Sequence, residues 1–171
     1  EPLELERAGI PDKFPDDALA EAASIDLSMM LAEPARQDLR DLPTFTVDDA
    51  GTEDRDDALS LEVEGPDSEH PETVFRVGIH IADAGALIPP DGAVDREASR
   101  RMATLYVPDR KTYMLPPEVS KRTGSLVPGE TRAVLSLMVR VTESGEVMDW
   151  EVQRSTIRSD IALTYEAADG A

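Results

Sequence analysis

The stretch Thr44-Phe45-Thr46-Val47-Asp48-Asp49-Ala50-Gly51-Thr52-Glu53-Asp54-Arg55-Asp56-Asp57-Ala58-Leu59-Ser60-Leu61-Glu62-Val63 decides how this chain is read. Thr44 to Val47 is a short β-branched and aromatic run, and Ala58 to Val63 alternates apolar with polar, so a strand is expected on each side of an acidic loop. Six carboxylates fall within the ten residues from Asp48 to Asp57. In extended backbone Asp54 and Asp56 share a face while Asp57 points away, so the three converge only where the loop bends around something. Two like charges about 4 Å apart cost roughly 1 kcal/mol in bulk water and about 4 kcal/mol at an effective dielectric near 20, so a packed cluster asks for a cation. Magnesium or manganese suits such oxygen donors, and paired ions about 3.5 to 4 Å apart can hold both the attacking and the leaving oxygen of a phosphoryl displacement. A solvated acidic surface loop is the competing reading in a chain of net charge −19. Calcium is a third. An EF-hand loop needs Gly at its sixth position and Glu at its twelfth; counted from Asp48 these are Glu53 and Leu59, which excludes it.

Outward from the loop, Val74 to Ala82 is a further strand run, with breakers at Gly85, Pro89, Pro90 and Gly92 and then a helix from Asp95 to about Ala103. Pro108 to Pro128 carries four prolines and is expected to be mostly loop with one helical turn. Ala133 to Val141 and Val147 to Ile157 flank Ser144-Gly145 as a β-hairpin, and Thr164 is expected to cap a helix with Glu166 in its first turn. Before the loop, Pro15-Asp16-Asp17 reads as a helix start ahead of the apolar-periodic Ala18 to Ile25. Residues 1–37 are therefore taken as an acidic helical lead-in. The fold class expected is α+β, a mixed, mostly antiparallel sheet wrapped by helices that presents the acidic loop at the floor of a channel.

The 171 residues are enough for one ordinary domain, which buries roughly 70% of the surface its unfolded chain exposes. Cysteine is absent, so thiolate metal sites and disulfides are excluded, and a cytoplasmic location is the expectation. The sequence has no apolar run of 18 residues, so no membrane partner is expected. It has no initiator Met and stops just after an apparent helix start, which reads as a chain cut at both ends. The overall acidity argues against a nucleic-acid partner, but its distribution does not. From Arg96 to Arg140 nine basic residues face four acidic ones; that segment carries +5 and the remainder −24. Such a basic stretch suits a phosphate-tracking groove, with Arg96, Arg100 and Arg110 as candidates.

The ordered acidic residues Asp48, Asp54, Asp56 and Asp57, preceded by Asp38-Leu39-Arg40-Asp41-Leu42-Pro43, resemble the catalytic (RNB) domain of the ribonuclease II and ribonuclease R family. The resemblance runs on through Val77-Gly78-Ile79-His80-Ile81-Ala82-Asp83, Asp95-Arg96-Glu97-Ala98, Leu105-Tyr106-Val107-Pro108-Asp109-Arg110, Met114-Leu115-Pro116, Ser125-Leu126-Val127-Pro128-Gly129-Glu130 and Leu163-Thr164-Tyr165-Glu166. It covers nearly everything after residue 37, and so makes 38–171 the N-terminal half of an RNB-type catalytic domain. It implies hydrolytic 3′-to-5′ removal of 5′-nucleoside monophosphates from single-stranded RNA with Mg2+, or Mn2+. Asp48 and Asp57 would then be direct metal ligands, Asp54 a further ligand or orienting partner, and Asp56 the carboxylate whose loss abolishes cleavage. Tyr106 and Tyr165 match family tyrosines that contact the 3′-terminal nucleotides, and aromatic stacking accepts any base.

His80 is read as a hydrogen-bonded structural residue, and Tyr113, Trp150, Phe45 and Phe75 as packing. Two departures qualify the resemblance. Family catalytic domains are roughly twice this length, above the usual single-domain mode, and their second half carries a His-Phe-Thr-Ser-Pro-Ile-Arg-Arg-Tyr-like motif whose arginines complete the active site. Neither that motif nor the flanking RNA-binding modules is present in these residues. Full activity is therefore expected to need a C-terminal part of the catalytic domain, on the same or a second chain. The alternative from a different class is a non-catalytic RNA-binding or regulatory relative of the same fold.

Overall fold

The computed structural model describes residues 13–66, 71–107 and 110–170, without the side chains of Val107 and Arg110. Two compact units emerge, Glu1–Leu27 with Ala84–Thr123, and Ser28–Asp83 with Gly124–Ala171.

The second unit is built on a seven-stranded sheet. Its strands are β1 (Gln37–Asp38), β2 (Thr44–Asp48), β3 (Asp57–Gly65), β4 (Val74–Ala82), β7 (Thr131–Thr142), β8 (Val147–Arg158) and β9 (Ile161–Thr164), in the spatial order β1-β8-β7-β4-β3-β2-β9. The central pairs are antiparallel, and only the outer strands β1 and β9 join in parallel, to β8 and β2. The expected mixed, mostly antiparallel sheet is what forms. The β7–β8 hairpin turns where Ser144-Gly145 predicts it, with Gly145 in the left-handed region at φ 89°.

One face of this sheet is buried and unusually polar. Ser60, His80 and Ser136 stand side by side on β3, β4 and β7, all fully buried, with Ser60 Oγ 2.9 Å from His80 Nε2 and Ser136 Oγ 2.7 Å from Nδ1. His80 is thus the hydrogen-bonded structural residue its position suggests. Burial pushes its pKa down to about 4. Gly78 makes room for this group, since a Cβ there would lie 2.3 Å from Ser60 Oγ and 2.6 Å from His80 Nε2. Beside it lies the apolar core: Leu39, Ala58, Leu126, Val134, Met138 and Ile157. The segment leading into β1 is pinned by a buried ion pair, Arg36 to Asp83 at 2.8 Å, which accounts for the acidic end of the Val77–Asp83 block.

The opposite face carries Leu59, Leu61, Val63, Phe75, Val77, Ile79, Ile81, Leu135, Leu137, Val139, Trp150 and Val152 in cross-strand register, all half-buried or exposed. Phe45 and Phe75 pack there as half-buried residues. Trp150 corrects the expectation of packing: it is 66% exposed. Alternation assigns a side chain to a face and leaves open whether that face is covered.

The first unit pairs helix α1 (Asp16–Ser24) with helix α4 (Ala93–Arg101), α2 (Leu27–Leu31) and α3 (Ala84–Leu87) being short turns between them in the chain. Ala18, Ala22, Val94 and Ala98 are buried. The first amides of α4 find their acceptor on α1: Ala93 N–H and Val94 N–H donate to the Glu21 carboxylate at 2.7 and 3.0 Å. Arg101, at the other end, bonds Glu97 at 2.8 Å and covers the Phe14 ring at 3.8 Å. The stretch expected as mostly loop holds more structure than that. Its one expected helical turn forms at Glu118–Thr123 as a π-helical turn, and the addition is strand β6 (Arg110–Thr112), which pairs with β5 (Leu105–Val107) just before the stretch in a three-pair hairpin too short for periodicity to reveal. Among the described residues no helix is long and apolar enough to cross a membrane. Residues 1–12 of the expected lead-in lie outside the described residues.

Candidate active site

The acidic loop sits where two neighbouring strands part. Strands β2 and β3 pair only at Thr44↔Ser60 and Phe45↔Leu59. Beyond Phe45, β2 stays with β9 as far as Asp48↔Thr164, while β3 stays with β4 as far as Asp57↔Ile81. Asp48 therefore ends one side of the split and Asp57 begins the other. Residues 49–56 cross between them without regular secondary structure, starting with a turn closed by Thr52 N–H to Asp49 O at 3.0 Å. Asp56 and Asp57 are exposed, Asp48 and Asp54 half-buried.

Asp48 carries the clearest sign of unmet chemistry. Among the described residues its Oδ2 is buried with no hydrogen-bond donor, and the Arg55 Nε facing it at 3.7 Å is buried without an acceptor. That distance gives charge attraction but exceeds a hydrogen bond. A buried carboxylate oxygen lacking a donor fits a hard divalent cation, and the neighbouring donors are all carboxylates, with no thiolate in the chain. Among the described residues no three Asp, Glu, His or Cys side chains converge into a cation cage. Magnesium does not require one, since it usually takes one or two protein carboxylates and completes its shell with waters and phosphate oxygens.

The parallel pairing of β2 with β9 brings a distant residue to the loop. Thr164 stands beside Asp48, so Tyr165, 109 positions after Arg55's neighbour Asp56, opens helix α5 (Tyr165–Asp169) next to the end of β2. Thr164 caps that helix as expected, its Oγ1 accepting the Ala167 N–H at 3.2 Å. Glu166 in the first turn has its pKa lowered by its own backbone N–H and by the Thr164 hydroxyl. Tyr165 is 55% exposed.

The remaining candidates belong to the first unit. Tyr106 on β5 is 66% exposed, and the Lys111 ammonium lies 5.1 Å from its ring centre. Arg96 and Arg100 project from α4 as exposed residues with loose ion pairs, Arg96 to Asp17 at 3.9 Å and Arg100 to Glu97 at 3.6 Å. The Arg110 side chain lies outside the described residues. Tyr113 is half-buried, with Lys121 Nζ 5.0 Å from its ring. Two residues given no role from the sequence shape the loop: Arg55 within it, a lone cation among six carboxylates, and Ser125, whose hydroxyl meets the loop backbone. Arg55 is visible in the sequence as that odd residue; Ser125 opens one of the family-like blocks, but nothing in its local sequence ties it to the loop.

The model of the RNB domain family matches residues 36–171. The chain belongs to the RNB family. Within it, ribonuclease R of Chlamydia trachomatis serovar D is 35% identical over 161 residues, covering 94% of this chain and 22% of its own length. Two Arabidopsis thaliana proteins, DIS3-like exonuclease 2 and the inactive exonuclease DIS3L2, are each 41% identical over 133 residues, covering 78% of this chain and 12% of theirs. The Mycoplasma genitalium RNase R structure in complex with ribose-methylated single-stranded RNA superposes with a TM-score of 0.82 at 23% identity, covering 96% of this chain and 26% of that one. This RNB chain thus spans less than a quarter of the length of these curated relatives, and its fold is that of the matched quarter of the RNase R chain.

Proposed function

We propose that this chain carries the metal-binding side of a cytoplasmic 3′-to-5′ exoribonuclease that hydrolyses single-stranded RNA to 5′-nucleoside monophosphates with Mg2+ or Mn2+. The observation that carries this reading is the parting of β2 and β3, which leaves Asp48 with a buried oxygen lacking a donor on one side and an exposed Asp57 on the other. Asp48 and Asp57 would hold the cation, with Asp54 as a further ligand or orienting group. Bound there, a divalent cation supplies charge neutralisation and an acidified water for attack on a phosphodiester. Asp56, exposed and anchored through its carbonyl to Ala82 N–H at 2.8 Å, is the carboxylate whose loss abolishes cleavage. Tyr165 and Tyr106 are exposed aromatics suited to stacking on bases, and Arg96, Arg100 and Arg110 offer charge for phosphates.

Further polypeptide is needed for the complete site. Relatives more than four times longer, and an apolar sheet face of about a dozen side chains, support a cover supplied by the rest of the RNB-type catalytic domain, on the same or a second chain. An arginine from that part would stabilise transition-state charge. In the full-length protein Asp56→Asn keeps RNA affinity and abolishes hydrolysis; unchanged turnover in that variant sinks the assignment. The equal match to an inactive relative makes a non-catalytic RNA binder the second reading. Wild-type protein that binds single-stranded RNA and shows no Mg2+-dependent cleavage would establish it.

A further inference from the structure

Residues 49–56 have no strand or helix to satisfy their backbone, so their N–H and C=O groups need partners from elsewhere. Three of them find those partners in one dipeptide 70 residues away. The Ser125 hydroxyl donates to Glu53 O at 3.0 Å and accepts from Arg55 N–H at 3.0 Å, using its one proton and a lone pair. Leu126 N–H then donates to Arg55 O at 2.9 Å. The peptides on both sides of Asp54 are thereby held by a single side-chain oxygen.

Ser125 is itself held firmly. It is fully buried, and its carbonyl accepts from the buried Arg132 Nε at 2.9 Å. Arg132 is the second residue of β7, and Leu126 sits in the core with Ala58, Val134, Met138 and Ile157. A continuous line of bonds thus runs from the sheet through Arg132 and Ser125 to the loop.

We propose that Ser125 is the positioning residue of the acidic loop, its hydroxyl bracketing Asp54 so that the aspartates stand ready for a divalent cation; this rests on the function proposed above. Ser125 touches no reacting atom and acts only through the loop backbone. A serine buried for packing alone would affect stability without affecting metal affinity. Ser155 supplies the comparison, being equally buried on β8 with a hydroxyl that has no hydrogen-bond partner among the described residues.

The test uses the full-length protein and single-stranded RNA. Ser125→Ala is expected to raise the half-saturating Mg2+ concentration and lower kcat, each by about 10- to 100-fold, while RNA affinity without metal is unchanged. Ser155→Ala is expected to leave the Mg2+ midpoint where it is. A folded Ser125→Ala protein with wild-type midpoint and kcat overturns the proposal, as does an equal loss in both variants. If Ser125→Ala does not fold, amide exchange in the wild type decides: Arg55 N–H as slow as the amides of β3 supports the clamp, and exchange at the rate of an unprotected peptide overturns it. Wild-type protein without Mg2+-dependent cleavage removes the function and the positioning role together, whereas failure of Ser125 alone leaves the function standing.

Discussion

Across β3, β4 and β7, the face built by Ser60, His80 and Ser136 is fully buried, while the face built by Leu61, Ile81 and Leu135 is 43–48% exposed. Hydrophobicity alone would choose the reverse. The polar face can be buried because its groups satisfy one another: His80 offers two ring nitrogens, and a serine from each neighbouring strand meets one. Among the described residues the apolar face leaves its burial free energy unclaimed, at about 1.5–3 kcal/mol for each Leu, Ile or Val fully covered. The difference teaches that burial in this sheet follows hydrogen-bond satisfaction on one face, while the apolar face stays open among the described residues.

The largest way to break this comparison is His80→Ala. It opens a cavity and strands two buried hydroxyls, so a loss of about 4 kcal/mol is expected by denaturant unfolding. A smaller effect comes from pH. The folded pKa of His80, about 4, lies below its unfolded value of 6.5, so between these limits the unfolded chain binds the extra proton. Stability from neutral His80 is complete above pH 6.5 and is lost as pH falls toward 4, by about 3 kcal/mol in all. The His80→Ala variant should lose that part of the pH slope, and an unchanged slope would show that other groups set it.

Gly78→Ala follows, at about 2 kcal/mol, because its Cβ must displace the Ser60 and His80 side chains. On the open face Trp150→Ser should change the stability of residues 1–171 by no more than about 0.5 kcal/mol, yet reduce self-association measured by sedimentation. A loss as large as that of Gly78→Ala would mean that Trp150 is packed and the face already covered. These four outcomes, from largest to smallest, separate a satisfied polar interior from an uncovered apolar surface.

Much of the fold is legible in the residues. The strand at Val74 to Ala82 falls where β-branched alternation puts it, and Ser144-Gly145 and Thr164 mark their turn and cap. His80 is readable as structural because it alternates with Ile79 and Ile81. Less legible is the β5–β6 hairpin, whose three pairs leave no period to detect. Of the site, the four aspartates and Arg55 are local and visible, while the partners that shape their loop come from Ser125, Leu126 and Ala82.

The sequence by itself determined the residue chemistry of the acidic loop, the alternation of the flanking strands and membership of the RNB family through ordered blocks. Only the tertiary structure decided that β2 and β3 part at Phe45↔Leu59, that Thr164 and hence Tyr165 come to Asp48, and that the serine face of the sheet is the buried one. The reason is physical: residue type and period are properties of neighbours along the chain, whereas strand partners and burial depend on contacts a hundred residues apart.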